Sequence, residues 1–126
     1  MKKEEAYQIQ RGDYFLFQGE VVKVCSKDFC LEGFRVKTKN GKSKYADIEE
    51  LEPIVLNEYV LKQVGAIPHE HNEAYDIEDF ILYFHHGELF LIEHISTDIQ
   101  ITMDITYFHV LQNALRLFGV EVELKQ

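Results

Sequence analysis

The sequence predicts an α+β protein, in which a small N-terminal β-barrel is followed by an antiparallel β-sheet that packs on a C-terminal helix. Three observations support this fold class. Short apolar segments separated by turn residues fill positions 11–54, three strand-like segments follow between 80 and 103, and a strongly apolar helical segment covers 106–118. A chain of 126 residues with 46% hydrophobic content is long enough for one domain or two very small ones.

The N-terminal strands are predicted from alternation and turn residues. Gln18 and Gly19 form a turn between two strand-like segments, and in the second of these Val22 and Val24 alternate with Lys23, as on a half-buried pleated surface. Several strands this short bury their apolar faces by curling into a barrel. We therefore predict an N-terminal tail at 1–10 and a small β-barrel at 11–54.

Within that barrel, Asn40 and Gly41 are the strongest local signal. This pair predicts a two-residue hairpin turn with positive φ at both positions. On the strands around it, one face is apolar and the other is basic. The apolar face is predicted to carry Phe34, Val36 and Thr38. The basic face is predicted to carry Arg35, Lys37 and Lys39, together with some of Lys42 and Lys44.

Positions 55–126 are predicted to form an acidic α+β subdomain of a helix, three strands, a helix and a short strand. Asn57 is a plausible N-cap and Gly65 a terminator for a helix at 57–65. The segment 67–75 has no periodicity and predicts an exposed loop. Strands follow at 80–84, at 89–92 and around residues 99–103. Thr106 and Gly119 would begin and end the last helix, which covers the sheet.

Charge is unevenly placed along the chain. Residues 1–52 carry ten basic and ten acidic side chains, whereas residues 53–126 carry three basic and twelve acidic ones, which accounts for the whole net charge of −9. Such a surface repels nucleic-acid phosphates and suits a protein partner with a basic face. A sharper version of this hypothesis is that the acidic half imitates nucleic acid.

Neither a signal peptide nor a membrane span is predicted. The first residues are charged and lack an apolar core, and no apolar run approaches the roughly 18 residues of a membrane helix. We therefore expect a cytoplasmic protein that does not engage a membrane.

Three motifs resemble a known group of proteins. Gly12, Asp13 and Tyr14 match a G-[DN]-Y opening, which is also similar to the start of Src-homology-3 (SH3) or Tudor barrels. Residues 52–65 resemble an I-x-P-I-x-L step into a helix, and residues 107–121 resemble a closing Y-x-H-x-L-Q-N helix. Short uncharacterised proteins of gut bacteria and their phages or mobile elements share these motifs. The chain departs from them at Tyr59, where Trp is commoner, and at 68–79. The resemblance implies an SH3-like barrel and a mobile-element setting, but no activity.

The polar stripe of the last helix is the first candidate site. It consists of His109, Gln112, Asn113 and Arg116, which are spaced three and four residues apart. An imidazole, two amides and a guanidinium on one helical face could bind an anion or a peptide end. Alternatively the stripe is an ordinary solvent face, on which Gln112 and Asn113 anchor a neighbouring loop.

The basic hairpin is the second candidate. Arg35, Lys37 and Lys39 could run along a phosphate backbone, as small barrels do when they bind nucleic acid. The alternative is that lysines on an exposed hairpin prevent edge-to-edge pairing.

Metal and nucleophilic chemistry have weaker signals. His69 and His71 have ligand-type side chains but no third ligand fixed near them, and Cys25 and Cys30 lack the second cysteine pair that a zinc site needs. No nucleophile-elbow or phosphate-loop motif is present. We expect no catalytic residue, no metal and no cofactor.

Together these observations favour a non-enzymatic protein-binding or adaptor module of a bacterial phage or mobile element, with a homodimer as a further interaction. The alternatives are a nucleic-acid-binding barrel that uses the basic hairpin and a small metal-dependent enzyme.

Overall fold

A computed structural model describes residues 1, 8–28, 33–69 and 73–125, and Cys30 and His71 lie outside them. The chain divides into two units. The first contains residues 1–54 and 107–121, and the second contains residues 55–106 and 122–125. This division differs from the sequence-based one, because the last helix groups with the N-terminal strands.

The first unit contains an antiparallel sheet of five strands among the described residues. They are β1 (Tyr14–Phe17), β2 (Glu20–Asp28), β3 (Gly33–Thr38), β4 (Ser43–Asp47) and β5 (Leu51–Pro53), in the order β4-β3-β2-β1-β5. A 3-10 turn at Ile48–Glu50 precedes β5. The predicted α+β class is confirmed, but the sheet is not closed, so the structure does not confirm a barrel.

Burial in this sheet follows the predicted alternation. Side chains on one face are buried because successive residues of a strand point to opposite faces. Arg35 and Lys37 on the other face are exposed. The core consists of Ile9, Phe15, Phe17, Val22, Val24, Phe34, Val36, Ala46, Ile48 and Leu51.

The β1–β2 turn and the β3–β4 turn of this sheet differ from each other. Gln18 and Gly19 both have positive φ, at 53° and 79°, as a two-residue hairpin turn requires. In the β3–β4 hairpin only Gly41 has a positive φ, of 82°, and the Thr38 N–H donates to the Lys42 carbonyl at 2.9 Å. The two-residue turn predicted at Asn40 and Gly41 is therefore wrong, because the loop contains three residues.

The second unit contains α1 (Glu58–Gln63) and, among the described residues, a second open antiparallel sheet. Asn57 caps α1, its side-chain oxygen accepting from the Val60 N–H at 2.9 Å, and Gly65 follows with a φ of 82°. The sheet has the order β10-β9-β8-β7-β6. Its strands are β6 (Ile67–Pro68), β7 (Ala74–Ile77), β8 (Phe80–His85), β9 (Glu88–His94) and β10 (Ile99–Ile105).

Two of these strands fall where the sequence predicted an exposed loop. Ile67 pairs with Asp76 and Pro68 with Tyr75, so β6 and the start of β7 lie within 67–75. The prediction of a loop is wrong because strands of two and four residues are too short to show an alternation.

The last helix, α2 (Phe108–Arg116), belongs to the first unit. Tyr107 is its N-cap position and has no side-chain cap bond, so the predicted Thr106 cap is not formed, while Gly119 beyond its end has a φ of 78°. The Phe108 N–H donates to the Ile54 carbonyl at 2.8 Å, which fixes the helix start in this unit. Residues 120–125 form no strand.

The structure thus groups α2 with the first unit, whereas the sequence assigned it to the same subdomain as the second sheet. In the described residues neither helix is long and apolar enough to cross a membrane.

Candidate functional site

The polar stripe of α2 is turned towards the opening loop of the first unit. His109 and Gln112 are 2% and 1% exposed, so the stripe is not a solvent face. The Gln112 amide accepts from the Tyr14 N–H and donates to the Gly12 carbonyl, both at 3.0 Å. The Gln112 side chain thus satisfies the Tyr14 N–H and the Gly12 carbonyl, two backbone groups for which an irregular loop provides no backbone partner. This is the anchoring role that the sequence offered as an alternative.

Asn113 and Arg116 extend the same contact. The Asn113 amide donates to the Gln8 carbonyl at 2.9 Å. The Arg116 guanidinium donates to Asp13, to the Asn113 side-chain oxygen at 2.6 Å and to Glu121 at 2.6 Å. Asp13 is fully buried. Burial raises the pKa of the Asp13 carboxyl above its usual value, and this outweighs the hydrogen bonds from Gln10 and Arg116 that lower it.

His109 lies among aromatic rings. Its ring centroid is 4.8 Å from that of Phe15 and 6.2 Å from that of Tyr107. Gln112, Asn113 and the other guanidinium nitrogens of Arg116 thus bond within the first unit, whereas the buried atoms His109 Nδ1 and Arg116 Nη2 form no hydrogen bond among the described residues. The stripe therefore holds the opening loop rather than facing solvent.

The basic residues of the first sheet divide between its two faces. Arg35 lies opposite Tyr45 and Lys37 opposite Ser43, so these two cations share the outer face. Lys44 lies opposite Val36, and therefore on the core side, where its ammonium is 3.6 Å from Glu20. Lys39 and Lys42 are exposed near the hairpin loop.

The sequence analysis missed a member of the outer face. Lys23 lies directly opposite Lys37 on β3 and directly opposite Tyr14 on β1. Its ammonium is 5.7 Å from the centre of the Tyr14 ring. The alternation of Lys23 with Val22 and Val24 already indicated that it points outward, but only the strand pairing places it beside Lys37.

Among its described residues the second unit contains two imidazole–carboxylate contacts. The His69 Nε2 lies 2.6 Å from Asp76, and the His94 Nε2 lies 3.3 Å from Asp79. The His94 Nδ1 also lies 2.6 Å from the Thr97 hydroxyl. An Asp–His–hydroxyl arrangement resembles a nucleophile with its base. Here it joins the turn between β7 and β8, which contains Asp79, to His94 at the end of β9 and to the exposed turn that follows it.

Potential metal ligands are scattered through the described part of the chain. Across residues 1, 8–28, 33–69 and 73–125 no three His, Cys, Asp or Glu side chains lie close enough together to hold a metal ion. Cys25 is a free thiol, and its partner in the C-x4-C spacing lies outside this range.

Charge and strand pairing set the second unit apart. It carries eleven acidic side chains against Lys62 and Lys125, a net charge of −9, whereas the first unit carries eleven of each sign. Its strand β10 pairs only with β9 among the described residues, so one edge of β10 is open. Ile99 and Met103 on this strand are 48% and 37% exposed.

Comparisons with protein-family models, curated proteins and solved structures found no match to this chain. The resemblance to short proteins of gut bacteria and mobile elements therefore stays a prediction.

Proposed function

We propose that this chain is a non-enzymatic protein-binding module and that its partner is a protein with a basic segment. The observation that carries the proposal is the separation of charge. All of the net charge of −9 lies in the second unit, which has only two basic side chains. One of them, Lys62, already lies 3.7 Å from Glu58. A basic partner is attracted to such a unit, and its association is accelerated.

The open edge of β10 supports a place for the contact. The opposite edge of the same sheet, β6, has two residues and includes Pro68, which cannot donate a ladder hydrogen bond. By contrast β10 has seven residues and contains no Lys, Arg or Pro, the residues that commonly protect an edge. An extended segment of a partner can add to such an edge as a further strand.

Local features of β10 limit how that segment binds. The register shifts between Thr102 and Ile105, so regular pairing extends over residues 99–102. The exposed Ile99 and Met103 offer apolar contacts, and Asp98 and Asp104 flank them with negative charge. An extended segment of about four or five residues with alternating apolar and basic side chains fits this pattern.

The other interactions considered above are less well supported. A homodimer through β10 would bring together two units of net charge −9, which repel each other. A nucleic-acid mimic would leave its carboxylates to the partner, whereas Asp76 and Asp79 already contact imidazoles of their own unit.

In the strand order β4-β3-β2-β1-β5 the last strand, β5, pairs with the first strand, β1. This order is compatible with an SH3-like arrangement in the first unit. A phage or mobile-element origin and a cytoplasmic location remain predictions of the resemblance and the composition.

The test is an affinity capture from nuclease-treated native-host lysate with three tagged baits. These are the wild-type chain, Ile99→Lys on the open edge and Ile67→Lys on the opposite edge. Both substitutions replace an exposed isoleucine of an edge strand in one sheet, and both change the net charge equally.

The proposal predicts a protein that is retained by the wild type and by Ile67→Lys, and lost with Ile99→Lys. Hydrogen exchange in the purified complex should then show new protection in β10. Retention by all three baits would place the contact elsewhere, and the absence of any retained protein would refute the proposal.

A further inference from the structure

The outer face of the first sheet brings three cations and two tyrosines together. We call Tyr14, Lys23, Arg35, Lys37 and Tyr45 the basic-aromatic face. Tyr14 lies opposite Lys23, Lys23 opposite Lys37, and Arg35 opposite Tyr45. Directly paired residues of antiparallel strands have their side chains on the same face, about 5 Å apart. Arg35 and Lys37 are two residues apart on one strand, so they share this face as well.

Charge repulsion makes this arrangement unfavourable for the isolated protein. Like charges directly opposite each other, as at Lys23 and Lys37, destabilise a sheet. Across the part of the chain that the structure describes, neither Arg35 nor Lys37 forms an ion pair. Arg35 and Lys37 therefore gain no stability from acidic neighbours among the described residues, and an anionic ligand would relieve their repulsion.

The two aromatic rings indicate the kind of anion. Tyr45 is 38% exposed and lies directly across from Arg35. An exposed ring beside cations provides a stacking surface for a base and neutralisation for the adjoining phosphates, and this combination is typical of single-strand binding. A duplex keeps the faces of its bases stacked and does not offer them to a ring. A simple polyanion has no base.

We propose that the basic-aromatic face binds single-stranded nucleic acid, with Lys23, Arg35 and Lys37 on the phosphates and Tyr45 stacked on a base. This inference is independent of the proposed protein-binding function, because it concerns the other unit. It also differs from the hairpin predicted from the sequence. Lys23 belongs to the site, whereas Lys44 does not.

The experiment measures binding of fluorescein-labelled oligothymidine and oligouridine, each of about ten nucleotides, by fluorescence anisotropy. The purified full chain is titrated at several salt concentrations from about 50 to 200 mM. Three neutralised phosphates predict a slope of log K against log [salt] of about −2 for a single strand. Unlabelled duplex DNA and heparin serve as competitors.

Two double variants of equal net charge distinguish binding by the basic-aromatic face from an effect of the overall charge of the chain. Lys23→Ser with Lys37→Ser removes two cations of the face. Lys42→Ser with Lys44→Ser removes two lysines outside it. The first variant should bind with a slope smaller by about 1.4, because two phosphate contacts are lost, and the second should keep the wild-type slope. Tyr45→Ala should lower affinity about tenfold through the lost stacking.

Removing the Lys23–Lys37 repulsion favours the sheet, so we expect the first double variant to stay folded. Thermal unfolding checks that expectation. Equal losses in the two double variants would overturn the proposal, as would an absence of binding at the lowest salt concentration. Competition by duplex DNA or heparin as effective as that by unlabelled single strand would show polyanion binding only, and would also overturn it.

Discussion

Replacement of Gln112 by methionine is the most direct test of how α2 is held in the first unit. The methionine side chain has a similar length and shape, so packing changes little. The change removes both hydrogen bonds of the amide, those with the Tyr14 N–H and the Gly12 carbonyl, each 3.0 Å long. Gly12 is buried and Gln112 is 1% exposed, so water does not replace the lost partners.

The expected magnitude follows from these two groups. A buried backbone donor or acceptor that is left unpaired destabilises a fold by about 1–3 kcal/mol. With one donor and one acceptor affected, we expect Gln112→Met to lower the free energy of unfolding by about 2–6 kcal/mol. As a control, Leu117→Gln changes a side chain that is 80% exposed beyond the same helix, and its effect should stay within about 0.5 kcal/mol.

Urea unfolding followed by far-UV circular dichroism measures the change, because the chain has no tryptophan for fluorescence. Hydrogen exchange at the Tyr14 amide reports on the first unit specifically, and its protection should fall in the variant. A Gln112→Met protein with wild-type stability and undiminished Tyr14 protection would refute the anchoring role.

Four further predictions concern Arg116, Asp13, two glycines and an N-cap. Arg116→Met leaves the buried Asp13 carboxylate without its cation, so the free energy of unfolding at neutral pH should fall by about 3–5 kcal/mol in urea unfolding. Burial raises the pKa of Asp13 above 3.8, so the folded chain binds more protons than the unfolded chain in that range. Stability from this group therefore falls as pH rises from about 3.8, and unfolding measured across pH should show no such fall in Asp13→Asn. Gly12→Ala should destabilise more than Gly19→Ala in thermal unfolding. Both glycines have positive φ, but only at Gly12 would a Cβ meet the Arg116 guanidinium, at 2.8 Å. Asn57→Ala removes the α1 cap and should lower stability by about 1 kcal/mol in urea, whereas Asn57→Asp should retain it.

Each of these predictions has a contrary result. Equal stability of Arg116→Met and wild type at neutral pH would mean that Asp13 does not depend on the guanidinium. A pH profile unchanged by Asp13→Asn would remove the inferred effect of burial on this carboxyl. Equal effects at Gly12 and Gly19 would show that only the backbone angle matters, and an Asn57→Ala protein as stable as Asn57→Asp would argue against the cap.

Local rules predicted much of the fold. The inward positions of Val22, Val24 and Val36 follow from alternation, because one face of the first sheet is buried. The cap at Asn57 and the left-handed Gly65 follow from chemistry within a few residues of a helix end. Such features depend on near neighbours in the sequence, so they can be recognised without the tertiary structure.

The length of the β3–β4 loop decides on which face of the sheet each hairpin lysine lies, and a difference of one residue changes the basic face. A two-residue loop would pair Lys37 with Lys44 and place both on the basic face. The observed three-residue loop pairs Lys37 with Ser43, which moves Lys44 to the core side. Loop length therefore decides which cations act together, and Asn40 and Gly41 are compatible with either length.

The location of α2 could not be predicted locally. The polar side chains of a helix can hydrogen-bond either to water or to the unpaired backbone groups of a loop, and the sequence pattern is the same in both cases. The partners of this stripe, Gly12, Asp13 and Tyr14, lie 98 to 103 residues earlier in the chain. The amphipathic pattern indicated that the helix has two sides, but it carried no information on which sheet it contacts.

The discontinuous first unit also constrains the order in which the chain can fold during synthesis. Its strands leave the ribosome early, but α2 follows only after the whole of residues 55–106 has been made. The second unit is nearly continuous, so it can close its contacts first, whereas N-terminal segments usually fold first. Until then the apolar side of the first sheet lacks its helix and must close loops of about 100 residues to recruit it, which is slow. A chain that stops shortly before Tyr107 would therefore leave the strands of the first unit without α2, and those strands would still need a chaperone.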